Sequence, residues 1–237
     1  MRLLWTALAV LIGAEICYPL TAGGVRAGLV IATVLLGGAM SIGHAALTRG
    51  GRAGLALVAV AVGGGLLVEA VGVATGFPFG RYGYTHALGP TVLGVPVVVP
   101  VAWAWMAWPA WLAAGVLTTR RRWRVPVAGF GLAAWDLFLD PQMVAAGYWA
   151  WTGRAGVPVT NYLGWLGVSL LIMAVLPLAV ASTVDRRADA PMLALYLWTY
   201  YSSVLAHAVF LDLPASALWG GIAMGAVAVP VSVKLVR

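Results

Sequence analysis

Charged residues are scarce in this chain. Asp, Glu, Lys and Arg together make up 9% of its 237 residues, against about 25% in a soluble domain. That scarcity excludes a soluble globule. The 62% hydrophobic content points instead to one polytopic membrane domain over residues 1–237. Cysteine is nearly absent too. The single Cys17 excludes an intramolecular disulfide and any cysteine metal cluster; it lies in an apolar segment and is expected to be a small buried hydrophobe. The three histidines show no ligand spacing, so no metal is expected. Phosphate loops, dinucleotide fingerprints and a repeated Ser-His-acid pattern are missing, and no cofactor is expected. Alternating strands are also missing, which argues against a membrane β-barrel.

What is there is apolar sequence in long runs. At about 20 residues per span the chain holds seven or eight transmembrane helices, and the fold class is an all-α membrane bundle. Eight segments can be drawn: 3–20, 27–47, 54–75, 92–118, 126–146, 163–184, 191–212 and 216–235. The first is read as a span rather than a cleaved signal. A seven-span fold would merge the last two, against which Pro214 argues. Pro96, Pro100 and Pro109 predict kinks in the fourth. With eight spans, one set of ends holds eleven basic residues: Arg2, Arg49, Arg52, Arg120, Arg121, Arg122, Arg124, Arg186, Arg187, Lys234 and Arg237. The other set holds three, Arg26, Arg81 and Arg154. This asymmetry places both termini in the cytoplasm and the protein in the cell membrane. The net charge of +7 therefore serves orientation and lipid-headgroup contact, not nucleic acid.

Against this apolar background Asp136 and Asp140 stand out. They lie four apart in Gly131-Leu-Ala-Ala-Trp-Asp136-Leu-Phe-Leu-Asp140-Pro141 and so share one helix face. A carboxylate in a bilayer costs roughly 2.5–3.5 kcal/mol unless protein or water covers it. The expected topology brings Glu15, Glu69, Asp212 and His207 to the same outer half, so a polar pocket near the outer interface is expected. Because Pro141 disfavours helix at Asp140, span 5 is expected to break there into a re-entrant segment.

Two loops emerge on the same side. Residues 76–91 carry Arg81, Tyr82, Tyr84 and His86 among turn-forming Gly and Pro; Arg81 is expected to pair with Glu69 or Asp140. Residues 147–162 carry Trp149, Trp151 and Asn161, with Trp165 just beyond. The aromatics read either as an interfacial belt or as pocket walls. Trp103, Trp105, Trp108 and Trp111 of span 4 read more simply as packing, and His44 as structural. His207 is either a site residue or a hydrogen-bonded core residue. The Gly63-Gly64-Gly65 run suits close helix packing.

At these loops the chain resembles a known family. Glu69…Gly76-Phe77-Pro78-Phe79-Gly80-Arg81-Tyr82-Gly83-Tyr84…Leu88-Gly89-Pro90…Gly94-Val95-Pro96-Val97…Pro100…Trp103 is similar to the integral-membrane carotenoid hydratases of the CruF type. So is Asp136-Leu-Phe-Leu-Asp140-Pro141…Gly147-Tyr148-Trp149-Ala150-Trp151…Gly156-Val157-Pro158…Asn161-Tyr162…Gly164-Trp165. The resemblance covers residues 65–170; Arg154-Ala155 departs from the family's frequent aromatic pair. It implies cofactor-independent addition of water to the terminal alkene of an acyclic carotenoid, with lycopene, γ-carotene or a C50 bacterioruberin precursor as the substrate class. Membrane lipids and other carotenoid-pathway enzymes are the further partners it suggests.

Alkene hydration needs a neutral acid first. Two adjacent carboxyls in low dielectric cannot both ionise cheaply, which makes Asp136 the expected acid and Asp140 the base, or the reverse, tuned by Glu69 and Arg81. Trp149, Trp151 or Tyr84 would steady the cation through their π faces. Two other classes stay open at this point. One is a proton-coupled carrier, which also uses intramembrane acids and a broken span. The other is a carotenoid- or lipid-binding protein without catalysis.

Overall fold

The computed structural model describes residues 1–153, 155–180 and 185–237; Arg154 and the end of the sixth expected span lie outside them. Eight long helices follow one another among the described residues. They are α1 (Arg2–Leu20), α2 (Gly23–Arg49), α3 (Gly51–Thr75) and α4 (Val98–Leu117), then α5 (Arg121–Ala145), α6 (Val159–Leu178), α7 (Arg186–Leu205) and α8 (Pro214–Val236). Six are long and apolar enough to cross a membrane; α5 and α7 are not among the six. Both dilute their apolar character with charge, α5 with Asp136 and Asp140, α7 with Arg186, Arg187 and Asp189. The fold is an all-α polytopic membrane bundle. Pro214 opens α8 as a separate helix, so the last two segments are not merged.

Helix α4 is apolar all round, and such a helix belongs in the middle of a bundle. It is buried along nearly its whole length and touches α2, α3, α5, α6, α7 and α8. Its start is later than the sequence suggests. Thr91–Val92 (β2) turns back on Val95–Pro96 (β3), and the helix begins only after that hairpin. Cys17 departs from expectation as well: it is exposed on the outside of α1, not buried.

No break follows Asp140. Helix α5 runs through Pro141 to Ala145, and a neighbouring hydroxyl is the reason. Proline has no N–H to give to the carbonyl four residues back, which is that of Leu137. The Ser216 hydroxyl donates to that carbonyl instead, at 2.6 Å. Ser216 in turn meets His207 Nδ1 at 2.9 Å, and His207 Nε2 lies 3.0 Å from the Gln142 side-chain amide. Gln142 is the next residue of α5, so the brace closes on the proline turn it supports.

The loops 76–91 and 147–162 also form structure that their sequences hide. Tyr82–Tyr84 (β1) pairs antiparallel with Trp149–Trp151 (β4). Three-residue strands leave too short an alternation to read from sequence; they exist because the two loops meet.

At the opposite end of the bundle from these loops Arg52, Arg120, Arg121, Arg122, Arg186 and Arg187 are exposed, while a smaller group of polar side chains is buried. Arg49 Nη2 lies 2.7 Å from Asp189 Oδ2. His44 is fully buried. It accepts from Trp108 Nε1 on Nδ1 at 2.9 Å, and its Nε2 faces the Ala188 carbonyl at 2.9 Å. That pattern puts the ring proton on Nε2. Arg124, expected at the headgroups, is 1% exposed. The short link from α4 lays its guanidinium back over Trp111, 3.9 Å from the ring centroid, and its Nε donates to the Trp111 carbonyl.

Candidate active site

One face of α3 carries Gly65, Glu69 and Gly72, all buried, at the i, i+4, i+7 spacing of a helix face. A π-helical stretch, Val58–Gly63, precedes it and rotates this face relative to the first half of the helix. The two glycines make room for the partners of Glu69. A Cβ on Gly65 would stand 2.7 Å from Trp103, and one on Gly72 2.8 Å from the Tyr82 hydroxyl. Glu69 Oε2 accepts from Tyr82 Oη at 2.5 Å and from Tyr84 Oη at 2.8 Å, and Oε1 accepts from Trp103 Nε1 at 3.2 Å. Three neutral donors thus do the work that a cation usually does for a buried carboxylate. Burial, and next the nearby Glu69 charge, pushes both phenols up from their ordinary value.

The face of α5 opposite presents Asp136 and Asp140, both buried. The Asn161 side-chain amide, from the first turn of α6, donates to Asp136 Oδ2 at 2.8 Å and to Asp140 Oδ2 as well. An amide has two N–H bonds, one for each carboxyl. Trp149 Nε1 donates to Asp140 Oδ1 at 3.0 Å. Among the described residues no ion pair joins Glu69, Asp136 or Asp140 to a basic side chain.

The β1–β4 pair roofs this arrangement. Strand side chains alternate in direction, so Tyr82 and Tyr84 point inward with Trp149 and Trp151, while Gly83 and Ala150 face out. Tyr82 stands opposite Trp151 and Tyr84 opposite Trp149, with ring centroids 5.7 and 5.5 Å apart. Trp151 Nε1 ties the roof to the Phe79 carbonyl at 2.8 Å. Beneath lies a largely apolar cavity of about 520 Å³, lined by Glu69, Asp140, Asn161, the four roof aromatics and, among others, Trp103, Trp135 and Trp165. Trp103 and Trp165 stack face to face at 3.9 Å. The cavity opens sideways. Ile16 and Leu20 of α1, Tyr201 of α7 and Phe210 of the π-helical stretch Ala206–Phe210 that follows it line the cavity and are also at least half exposed on the outside of the bundle.

Of the residues singled out by sequence, Glu69, Tyr82, Tyr84, Asp140, Trp149, Trp151, Asn161 and Trp165 line this one cavity. Asp136 stands behind Asp140 and does not reach it. Arg81 precedes Tyr82 in the strand alternation and is exposed, as is His86; no ion pair links Arg81 to Glu69 or Asp140. His207 is buried among Phe138, Ser216 and Gln142 and braces α5 instead of lining the cavity. Sequence reasoning set Trp103 aside as packing, yet it is a donor to Glu69. It also passed over Trp198, whose signal was a polar run, Trp198-Thr-Tyr-Tyr-Ser-Ser203, inside a membrane-length helix.

Comparison with known proteins bears on this geometry. The family described as "Carotenoid biosynthesis protein" matches residues 28–231. The bisanhydrobacterioruberin hydratase of Haloarcula japonica is 40% identical over 106 residues, which cover 42% of this chain and 36% of that protein. The match thus spans little more than a third of the relative's length. No solved structure matches the chain. A family match over most of the chain, on a membrane bundle with an apolar cavity, leads to one conclusion: the chain belongs to the carotenoid biosynthesis protein family.

Proposed function

We propose that this protein hydrates the terminal carbon–carbon double bond of an acyclic carotenoid, of the lycopene, γ-carotene or C50 bacterioruberin-precursor class. The observation that carries this reading is the cavity itself. Its mouth lies among exposed apolar side chains of the bundle's flank, its walls are aromatic, and two carboxyl groups from different helices, Asp140 and Glu69, stand in it with no ion pair to a basic side chain among the described residues. The relative named a bisanhydrobacterioruberin hydratase supports the same chemistry.

The steps balance without a cofactor. Asp140, one of two carboxyls joined through Asn161, gives its proton to the less substituted alkene carbon. The π electrons form the new C–H bond and leave a tertiary carbocation, which the faces of Tyr84, Trp149 and Trp151 stabilise by roughly 0.5–2 kcal/mol each. Water adds to the cation and Glu69 takes the proton it releases. Water in the cavity then carries that proton from Glu69 back to Asp140, so both carboxyls return to their starting state; Asp136, out of reach of the cavity, is tied to Asp140 through Asn161. The sequence reading left acid and base open between Asp136 and Asp140 and gave Glu69 a tuning role; here Asp140 is the acid, because a donor must touch the alkene and only Asp140 of the pair lines the cavity, and Glu69 is the base.

The excess of basic residues at one set of helix ends supports a cell-membrane protein with both termini in the cytoplasm and the cavity in the outer half. Lipids, the carotenoid and other enzymes of its synthesis are its proposed partners.

The test is expression in cells that accumulate lycopene, or a C50 precursor, followed by mass spectrometry of the pigments. A gain of one or two water masses is expected. Asp140→Asn and Glu69→Gln are each expected to lower it by about a hundredfold or more with membrane levels unchanged. Unaltered pigment with both substrates, or full turnover in both variants, would sink the proposal.

A further inference from the structure

The cavity has a second polar pole, and the hydration reading does not use it. Helix α1 is apolar around Glu15, where a carboxyl is costly to hold and contributes nothing to packing. Glu15 lines the same cavity as Glu69 and Asp140. Its Oε2 accepts from Trp198 Nε1 of α7, and among the described residues no basic side chain pairs with it. Among the described residues its other oxygen receives no hydrogen bond, and it is not one of the fully buried polar atoms. Across from it α7 turns Thr199, Ser202 and Ser203 to the cavity. Thr199 and Ser202 commit their protons to their own helix, which leaves them as acceptors. Acceptors therefore outnumber uncommitted hydroxyl protons at this pole, where only Ser203 keeps its own among these three, and what fits the free carboxyl oxygen is an O–H donor. The pole lies next to the lateral mouth, for Ile16 and Tyr201 are its sequence neighbours. Apolar side chains such as Trp105, Trp135 and Leu139 also line the cavity.

We propose that Glu15 is a specificity-determining residue: it accepts a hydrogen bond from a hydroxyl carried on the isoprenoid chain at a distance from the reacting alkene, so that the cavity prefers a hydroxylated end segment to a bare hydrocarbon. The proposal rests on the hydratase reading for the identity of the alkene pole. A free water molecule offers the same O–H chemistry, and the test separates the two.

Geraniol, farnesol and geranylgeraniol share a trisubstituted terminal alkene and carry a hydroxyl at increasing distance from it. Their methyl ethers keep the shape and lose the donor. Each is titrated against the full-length protein loaded with a polyene pigment, and displacement is read by absorbance. At least one alcohol is expected to bind about tenfold more tightly than its ether, the worth of one hydrogen bond to a charged or polar acceptor. That ratio falls to about one in Glu15→Leu and is partly kept in Glu15→Gln, which retains an acceptor. Equal binding of every alcohol and its ether assigns the pole to water and overturns the proposal, as does a preference that survives in Glu15→Leu. Hydration of lycopene by the unmodified protein, measured separately, judges the hydratase reading alone.

Discussion

Glu69 is held by phenols and an indole, and two missing methyl groups make that possible. The Tyr82 hydroxyl reaches the carboxylate only because residue 72 has no side chain. Gly72→Ala puts a carbon where the hydroxyl passes, with Phe79 crowding the same spot at 2.9 Å, so Tyr82 must retreat and Glu69 loses its shortest donor. Misplacing a site residue by about an ångström costs on the order of a hundredfold in rate. Turnover in Gly72→Ala is expected to fall by about that factor while pigment is still retained; wild-type turnover would show that Tyr82 does not position Glu69.

At the scale of elements, α5 is the helix the site depends on, and its continuity past Pro141 rests on α8. Ser216→Ala strips the Leu137 carbonyl of its donor. A buried acceptor left without a partner costs about 1–3 kcal/mol. A lower Tm in detergent is expected, with recovery in Ser216→Thr; an unchanged Tm would mean that the carbonyl finds another donor. The β1–β4 roof has its own signature in pH. Burial and Glu69 push the Tyr82 and Tyr84 phenols up, so they stay protonated in the fold at a pH where free tyrosine, near 10, ionises. The unfolded chain then releases protons first, and alkaline pH favours unfolding. The stabilisation is full below about pH 10 and is lost as pH rises further. Tm should therefore drop on the alkaline side, less steeply in the Tyr82→Phe/Tyr84→Phe double variant. Identical slopes would remove the two phenols from the account.

Across the whole molecule, polar residues are kept at two ends of an apolar bundle. The end beneath the two loops holds uncharged donors around carboxyls and an open cavity. The other holds a closed cluster in which Arg49 and Asp189 tie α2 to α7. Removing one member of a buried ion pair costs about 3–5 kcal/mol. Asp189→Asn is expected to lower yield and Tm by an amount in that range; a variant as stable as the parent would assign no structural role to the pair.

Much of this was legible in the residues. Hydropathy located all eight helices, with ends displaced by up to about seven residues, because a membrane span is a local property of twenty or so consecutive side chains. The spacing of Asp136 and Asp140 put them on one helix face, because that too is local. Partnership is not local, and there the three-dimensional fold decided. Arg81 turns outward because β1 pairs with β4 and directs Tyr82 in. Arg124 is buried because the turn after α4 lays it on Trp111. Helix α5 ignores its proline because Ser216, 75 or more residues later in the chain, supplies the donor. Asp140 lines the cavity and Asp136 does not, although both accept from Asn161, which α6 brings in. Sequence by itself thus determined the class of protein, the helices and which costly residues needed a reason. Only the packing of distant segments determined which of those residues share a cavity, since a side chain's partners come from wherever the fold brings them.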